Sequence, residues 1–242
     1  MKGIRGAGFT ALVSGGTTGI GRAIAIEIAK LGGAVLIFGR HRKELNEALT
    51  DLRKFSARCE GLVADQASRK DVERVFSRVK SSFGRLDVLV NNAAVAADSL
   101  LKASLREIEY AVSANLTGYL FCTRLAIPLM RDGGQIIHIG SMSAEKRGAG
   151  GEVYTATKSG IRGFSESLRK SLIKKGIRVT LIEPGWTGSD LVEVSARAQR
   201  KAQAKREMLK AEDIANTVAF CLSQPKRSNL SLVQIQPLQS ES

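Results

Sequence analysis

Seven short apolar runs recur along the chain, each separated from the next by an amphipathic stretch. The runs are Phe9–Val13, Ala34–Phe38, Cys59–Asp65, Asp87–Ala94, Gln135–Ser141, Ile177–Ile182 and Leu230–Pro237. Runs of this length bounded by turn residues predict strands buried on both faces. Arg22–Leu31 and Lys43–Ser56 read as helices, the first stopped by Gly32-Gly33. Val72, Val75, Phe76 and Val79 keep helical spacing on a third segment. Ser104–Met130 predicts one long helix, with Pro128 kinking it or marking its close. A further helix follows the Gly148–Gly151 loop and runs to about Lys174, its basic end suited to the C-terminal dipole. Ala211–Leu222 is the last. Strict alternation of strand and helix predicts an α/β fold, a three-layer doubly wound parallel sheet of about seven strands. No repeat and no second domain is visible, so residues 1–242 read as one domain.

The first strand-to-helix turn is Ser14-Gly15-Gly16-Thr17-Thr18-Gly19-Ile20-Gly21. Glycines there let a backbone approach phosphates, and the helix N-terminus favours their charge. Gly15, Thr17, Thr18, Gly19 and Ile20 are therefore candidate contacts of a dinucleotide. The second strand ends at Gly39-Arg40, where an NAD-preferring site places an acid for the ribose 2′-hydroxyl. A guanidinium would instead pair with a 2′-phosphate, so Arg40 predicts NADP(H) over NAD. The bland alternative is that Arg40 and Arg42 are solvated charges opening the next helix.

Tyr154 and Lys158 stand four residues apart, on one face of a predicted helix. A phenol titrates near pH ~10, and a nearby ammonium favours the phenolate. The pair would then donate and accept a proton near neutral pH. His138 alternates within the fifth strand and reads as a packed residue.

The spacing Gly15-x-x-x-Gly19-x-Gly21, together with Tyr154-x-x-x-Lys158, resembles the single-domain branch of the short-chain dehydrogenase/reductases, whose fold is the Rossmann fold. Ser14 stands where that family has Thr, and Ala94 where its Asn-Asn-Ala-Gly has Gly. The resemblance covers Phe9 to Pro237. It implies a catalytic set of Asn115, Ser141, Tyr154 and Lys158, with Ser141 thirteen residues before the Tyr and Ser143 the runner-up. Asn115 would hold a local distortion and a water that relays protons to Lys158. It implies that Asp65 lies near the adenine; its rival role is capping the next helix, which Ser68 could also do. Asn91 and Ala93 would wall the cofactor, and Pro184 and Gly185 would turn beside the nicotinamide. Thr187 or Ser189 would supply a hydroxyl there. Trp186 would cover the ring or plug the core. Residues 186–210 would be a substrate lid, and long helices would pair subunits into a homodimer or homotetramer.

Composition narrows the picture further. The net charge of +14 favours an anionic partner, but aromatics are only 5% and do not alternate with basic residues, which argues against nucleic acid. Arg197, Arg200, Lys201, Lys205, Arg206 and Lys210 form a basic run that is either a solvated helix face or a patch for an acidic carrier or carboxylate. Cys59, Cys122 and Cys221 are odd in number and far apart, so no metal site and no disulfide framework is expected. No apolar run reaches the roughly 18 residues of a membrane span, and Met1–Gly8 carries no signal-peptide stretch. The expectation is a cytoplasmic oxidoreductase with Tyr as acid/base and a small hydroxy acid, ketone or polyol as substrate. The rivals are a 3-oxoacyl-(acyl-carrier-protein) reductase and a non-catalytic NADP-sensing regulator.

Overall fold

A computed structural model describes residues 8–190, 192 and 194–239. The start of the chain, Leu191, Glu193 and the last three residues lie outside the described residues, and with them most of the Met1–Gly8 expectation and part of the 186–210 segment. Seven parallel strands form one sheet in the order β3-β2-β1-β4-β5-β6-β7. They are β1 Thr10–Ser14, β2 Ala34–Gly39, β3 Cys59–Val63, β4 Val88–Asn91, β5 Gln135–Ile139, β6 Arg178–Pro184 and β7 Leu232–Ile235. All seven expected strands are present. The order reverses between β1 and β4, and ligands gather at such a switch point, outside the carboxyl ends of the strands.

The nine α-helical segments among the described residues are α1 Gly19–Lys30, α2 Arg42–Arg53, α3 Arg69–Phe83, α4 Leu105–Val112, α5 Gly118–Ala126, α6 Ser143–Lys146, α7 Glu152–Leu172, α8 Ala196–Ala204 and α9 Ala211–Ser223. Strand side chains alternate between two helical layers. Ala11, Val13, Val35, Ile37, Val88 and Val90 pack in one buried cluster with α1, α2 and α9. Leu12, Leu36, Phe38 and Leu89 pack in the other with residues of α3 and α5. Cys59, Cys122 and Cys221 are free and buried. Burial pushes the Cys122 thiol up to about 12, so it is inert at neutral pH.

The expected single helix over Ser104–Met130 is instead four pieces. Ser104 caps α4 with a reciprocal capping box to Glu107. A wide π turn over Ser113–Thr117 separates α4 from α5, and Ile127–Leu129 closes the segment as a tight turn containing Pro128. Helical periodicity does not reveal one extra residue in a turn, but the π turn contains Asn115, where the family resemblance implies a local distortion. The short helix α6 was not foreseen, while α8 carries part of the basic run that reads as a solvated helix face. No helix among the described residues is long and apolar enough to cross a membrane.

Candidate active site

One cavity of about 1270 Å³ opens over the strand ends. It exceeds the roughly 300–1,000 Å³ of ordinary ligand pockets, room enough for a dinucleotide and a small substrate. Gly15, Thr17, Thr18, Gly19 and Ile20 line it, as do Arg40, Asp65, Ala93, Ser141, Tyr154, Lys158, Pro184, Gly185 and Thr187.

The glycine turn is shaped as a phosphate cradle. Gly15 has φ +61°, and a Cβ there would meet Ala93 Cα at 2.8 Å. A Cβ on Gly21 would collide with the Gly15 carbonyl. Helix α1 starts without a side-chain cap and with no acid in its first turn, which leaves its N–H groups and positive dipole end for an anion. These residues fit a pyrophosphate. Ser14 ties the turn to the end of β4, its Oγ accepting from Asn92 N at 2.9 Å and Ala93 N at 3.1 Å. The hydroxyl that replaces the usual Thr is thus in use.

Tyr154 and Lys158 project from one face of α7, as their spacing predicts. Lys158 is 2% exposed, and its Nζ donates to the Ile139 carbonyl at 2.9 Å. The same ammonium lies 5.5 Å from the Tyr154 ring centroid and 5.4 Å from that of Tyr119. Burial pulls its pKa down to about 7. Tyr154 departs from the sequence expectation in direction. Burial raises its pKa, and a hydrogen bond with Ser141 offsets only part of that; the ammonium does not drive it down. With its own pKa brought down to about 7, Lys158 carries no charge in the range where a phenol titrates, so desolvation prevails at Tyr154.

Ser141 and Ser143 both line the cavity, and it is Ser141 that offsets the rise of the Tyr154 pKa. Ser143 stands behind it, its N–H donating to Ser141 Oγ at 3.1 Å, with the two hydroxyls 3.1 Å apart. The strand end is fixed from both sides. Gly140 N donates to the Ile182 carbonyl at 2.7 Å, and Met142 N to the Pro184 carbonyl at 2.9 Å.

Two expected site residues do not line the cavity. Asn91 belongs to the strand parity of Leu89, so its side chain turns into the helical layer and donates to Thr123 Oγ1 at 3.0 Å. It correctly marks the strand end, but Asn92 and Ala93 form the wall. Asn115 is fully buried in the π turn. Its Oδ1 accepts from Val95 N at 2.8 Å and its Nδ2 donates to the Val95 carbonyl at 2.9 Å. It therefore grips the loop that lines the cavity rather than facing the cavity itself. The Asn115→Ala variant is expected to lose about 1–2 kcal/mol of stability by leaving both Val95 groups without their partner; urea unfolding checks this.

The π turn has a second prop that sequence reasoning missed. Gly118 N donates to Ser113 O, five residues back, so the Ala114 carbonyl loses its helical donor. Gln66 Nε2 supplies one at 2.8 Å and also reaches the Ala93 carbonyl at 3.2 Å. A Cβ on Gly118 would collide with the Gln66 side chain. Glu44, Tyr110, Lys146, Asp190 and Val192 also line the cavity without having been singled out. None has a local pattern that sets it apart from an ordinary loop or surface-helix residue.

Ser68 caps α3, while Asp65 accepts from Ala67 N and from the Tyr110 hydroxyl. Thr187 and Ser189 both line the cavity, and Thr187 Oγ1 donates to the Gly185 carbonyl at 2.9 Å. Trp186 is 47% exposed at the cavity wall and does not plug the core. His138 is buried, with Nδ1 at 2.8 Å from Ser165 Oγ and its pKa pulled down to about 3 by burial, so it packs as a neutral ring. No group of side chains among the described residues would hold a metal ion.

A phosphate-cradling turn at a switch point opens into a cavity that also holds Ser141, Tyr154 and a buried Lys158, the arrangement of a dinucleotide-dependent oxidoreductase. The chain belongs to the short-chain dehydrogenase family, whose sequence model matches residues 9–200. It is 31% identical over 236 residues to a serine 3-dehydrogenase of Agrobacterium fabrum, covering 95% of this chain and 94% of that one. A short-chain dehydrogenase of Burkholderia cenocepacia, solved in complex with NADP, superposes with a TM-score of 0.87 at 31% identity, over 96% of this chain and 97% of that one. The actinorhodin polyketide ketoreductase, solved with NADPH, gives 0.84 at 25% identity, over 97% and 98%.

Proposed function

We propose that the protein is an NADP(H)-dependent oxidoreductase that interconverts a carbonyl and a secondary alcohol, with Tyr154 as acid/base. The observation that carries this reading is the convergence of Ser141, Tyr154 and the buried Lys158 in the cavity that also holds the glycine turn. Gly15, Thr17, Thr18, Gly19 and Ile20 hold the pyrophosphate. Arg40 meets the ribose 2′-phosphate and Asp65 lies at the adenine end. Ala93, Pro184, Gly185 and Thr187 form the walls. The bound cofactor supplies or accepts the hydride.

In reduction, Tyr154 gives its proton to the carbonyl oxygen; in oxidation, it takes one from the alcohol. Ser141 donates a hydrogen bond to the same oxygen and stabilises its developing charge. Lys158 places positive charge beneath the phenol and holds the ribose hydroxyls. Asn115 positions the Val95 loop. Residues 186–210 close over the substrate, which is a small hydroxy acid, ketone or polyol. The likeness to a serine 3-dehydrogenase, an enzyme named for a small hydroxy acid, is consistent with that class. We also propose a homodimer or homotetramer, a reading favoured by Leu105 and Leu120, apolar and exposed on α4 and α5.

A second reading, reduction of a carrier-bound 3-oxoacyl chain, is favoured by the exposed Arg200 and Lys201 of α8 and the likeness to a polyketide ketoreductase. A non-catalytic sensor would not need Ser141, Tyr154 and Lys158 in one cavity. The test is a screen of hydroxy acids, ketones, polyols and acyl thioesters, free and carrier-bound, against NADPH and NADH. Turnover of a small free substrate with NADPH is the expected result. Turnover that requires the carrier selects the second reading, and tighter binding of NADH removes the NADP assignment.

A further inference from the structure

Three residues from three elements form a second polar chain in the cavity wall. Arg40 follows β2, Asp65 follows β3, and Tyr110 sits in α4. Arg40 Nη1 donates to the Tyr110 hydroxyl at 2.7 Å, and that hydroxyl donates to Asp65 Oδ2 at 2.9 Å. The guanidinium carbon also lies 5.7 Å from the Tyr110 ring centroid. Asp65 Oδ1 accepts from Ala67 N at 2.9 Å, so both oxygens of that carboxylate are in use.

The wall around Arg40 is not simply basic. Glu44 lines it too, with its Oε2 buried and without a hydrogen-bond partner. A free guanidinium so near Asp65 would fold onto it, and its charge would be cancelled. The interposed phenol prevents that. It occupies Asp65 with its own proton and fixes Arg40 through one of five N–H donors, leaving the others free for a ligand. Burial, and after it Asp65, push the Tyr110 pKa up, so the phenol keeps the proton that it donates.

We propose that Tyr110 determines the cofactor preference: it holds Arg40 ready for a ribose 2′-phosphate and keeps Asp65 from neutralising it. This rests on the reading of Arg40 as the 2′-phosphate contact. A long exposed side chain loses rotamer freedom on binding, and a bond already made removes part of that loss in advance. A cofactor without the 2′-phosphate gains nothing from the arrangement, so Tyr110 acts on the difference between the two cofactors.

The test is calorimetric titration of Tyr110→Phe, which keeps the ring and removes the hydroxyl, with NADPH, NADH, adenosine 2′,5′-bisphosphate and 5′-AMP. Both 2′-phosphorylated ligands are expected to bind about tenfold more weakly, the scale of one charge-assisted hydrogen bond, while NADH and 5′-AMP change by less than about twofold. Tyr110→Leu, a second removal of the same hydroxyl, should lower the same ratio. In an Arg40→Ala background the Tyr110→Phe change should add nothing. Equal weakening of all four ligands would make Tyr110 a wall of the adenine site and overturn the proposal, as would no change. If Arg40→Ala weakens NADPH and Tyr110→Phe does not, only this inference falls. If Arg40→Ala leaves NADPH unchanged, the reading of Arg40 falls and this inference with it.

Discussion

Tyr154→Phe is expected to lower kcat by roughly a thousandfold, within the range of a lost general acid–base group, with the Kd for NADPH unchanged. The substitution removes one oxygen and keeps the ring that lies 5.5 Å from Lys158 Nζ. The packing that fixes α7 against β6 is unaltered. Ser141 loses its hydrogen-bond partner but keeps the contact with Ser143, so the strand end stays in place. The carbonyl oxygen then still receives the Ser141 hydrogen bond but has no proton donor. Rapid-mixing kinetics with any substrate found in the screen, alongside a binding titration, measures both quantities. Turnover within about threefold of the parent would take Tyr154 out of the mechanism, since so small a loss is less than a proton-transfer group contributes.

Lys158→Met is expected to abolish turnover and to make the protein more stable at pH 7. Lys158 is 2% exposed, and burial brings its pKa from 10.5 to about 7. Between those two values the folded chain binds fewer protons at this site than the unfolded chain does. Stability therefore rises with pH across the window from about 7 to about 10.5, and the whole desolvation penalty is present below it. Met has a similar length and no charge to desolvate. The Ile139 carbonyl keeps the Tyr119 hydroxyl, at 3.1 Å, as a donor after the ammonium is gone. The gain at pH 7 should be on the order of 3 kcal/mol and should shrink as the pH approaches 10. Melting curves of parent and variant at several pH values check it. A variant less stable at pH 7, or a gap that does not close with pH, would contradict this account. A residue that destabilises its own fold is consistent with the trade between stability and activity common at working sites.

Much of this protein was legible in its sequence because it rests on local patterns. The seven apolar runs are the seven strands, since a strand buried on both faces must be apolar throughout. The glycine turn was readable because its conformation and close approaches exclude side chains, as Gly15 at φ +61° and the Gly21 contact illustrate. Tyr154 and Lys158 were readable as a pair because helix geometry alone puts them on one face. Ser141 followed from its place at a strand end.

What only the tertiary structure decided depends on partners far away in the chain. Asn91 turns away from the cavity with the parity of β4, and Asn115 grips Val95 from a π turn that Gln66 supports, contacts that no local pattern shows. The chain from Arg40 through Tyr110 to Asp65 joins residues 70 and 45 positions apart, and no spacing rule links them. The direction of the Tyr154 pKa was also a tertiary matter. Four residues of separation bring the two groups close, but desolvation is set by everything that surrounds both: it raises the phenol and takes the charge from Lys158 before the phenol titrates. Sequence fixes which groups share a helix face or strand parity; the packed fold decides what surrounds them, and so which proton each one holds.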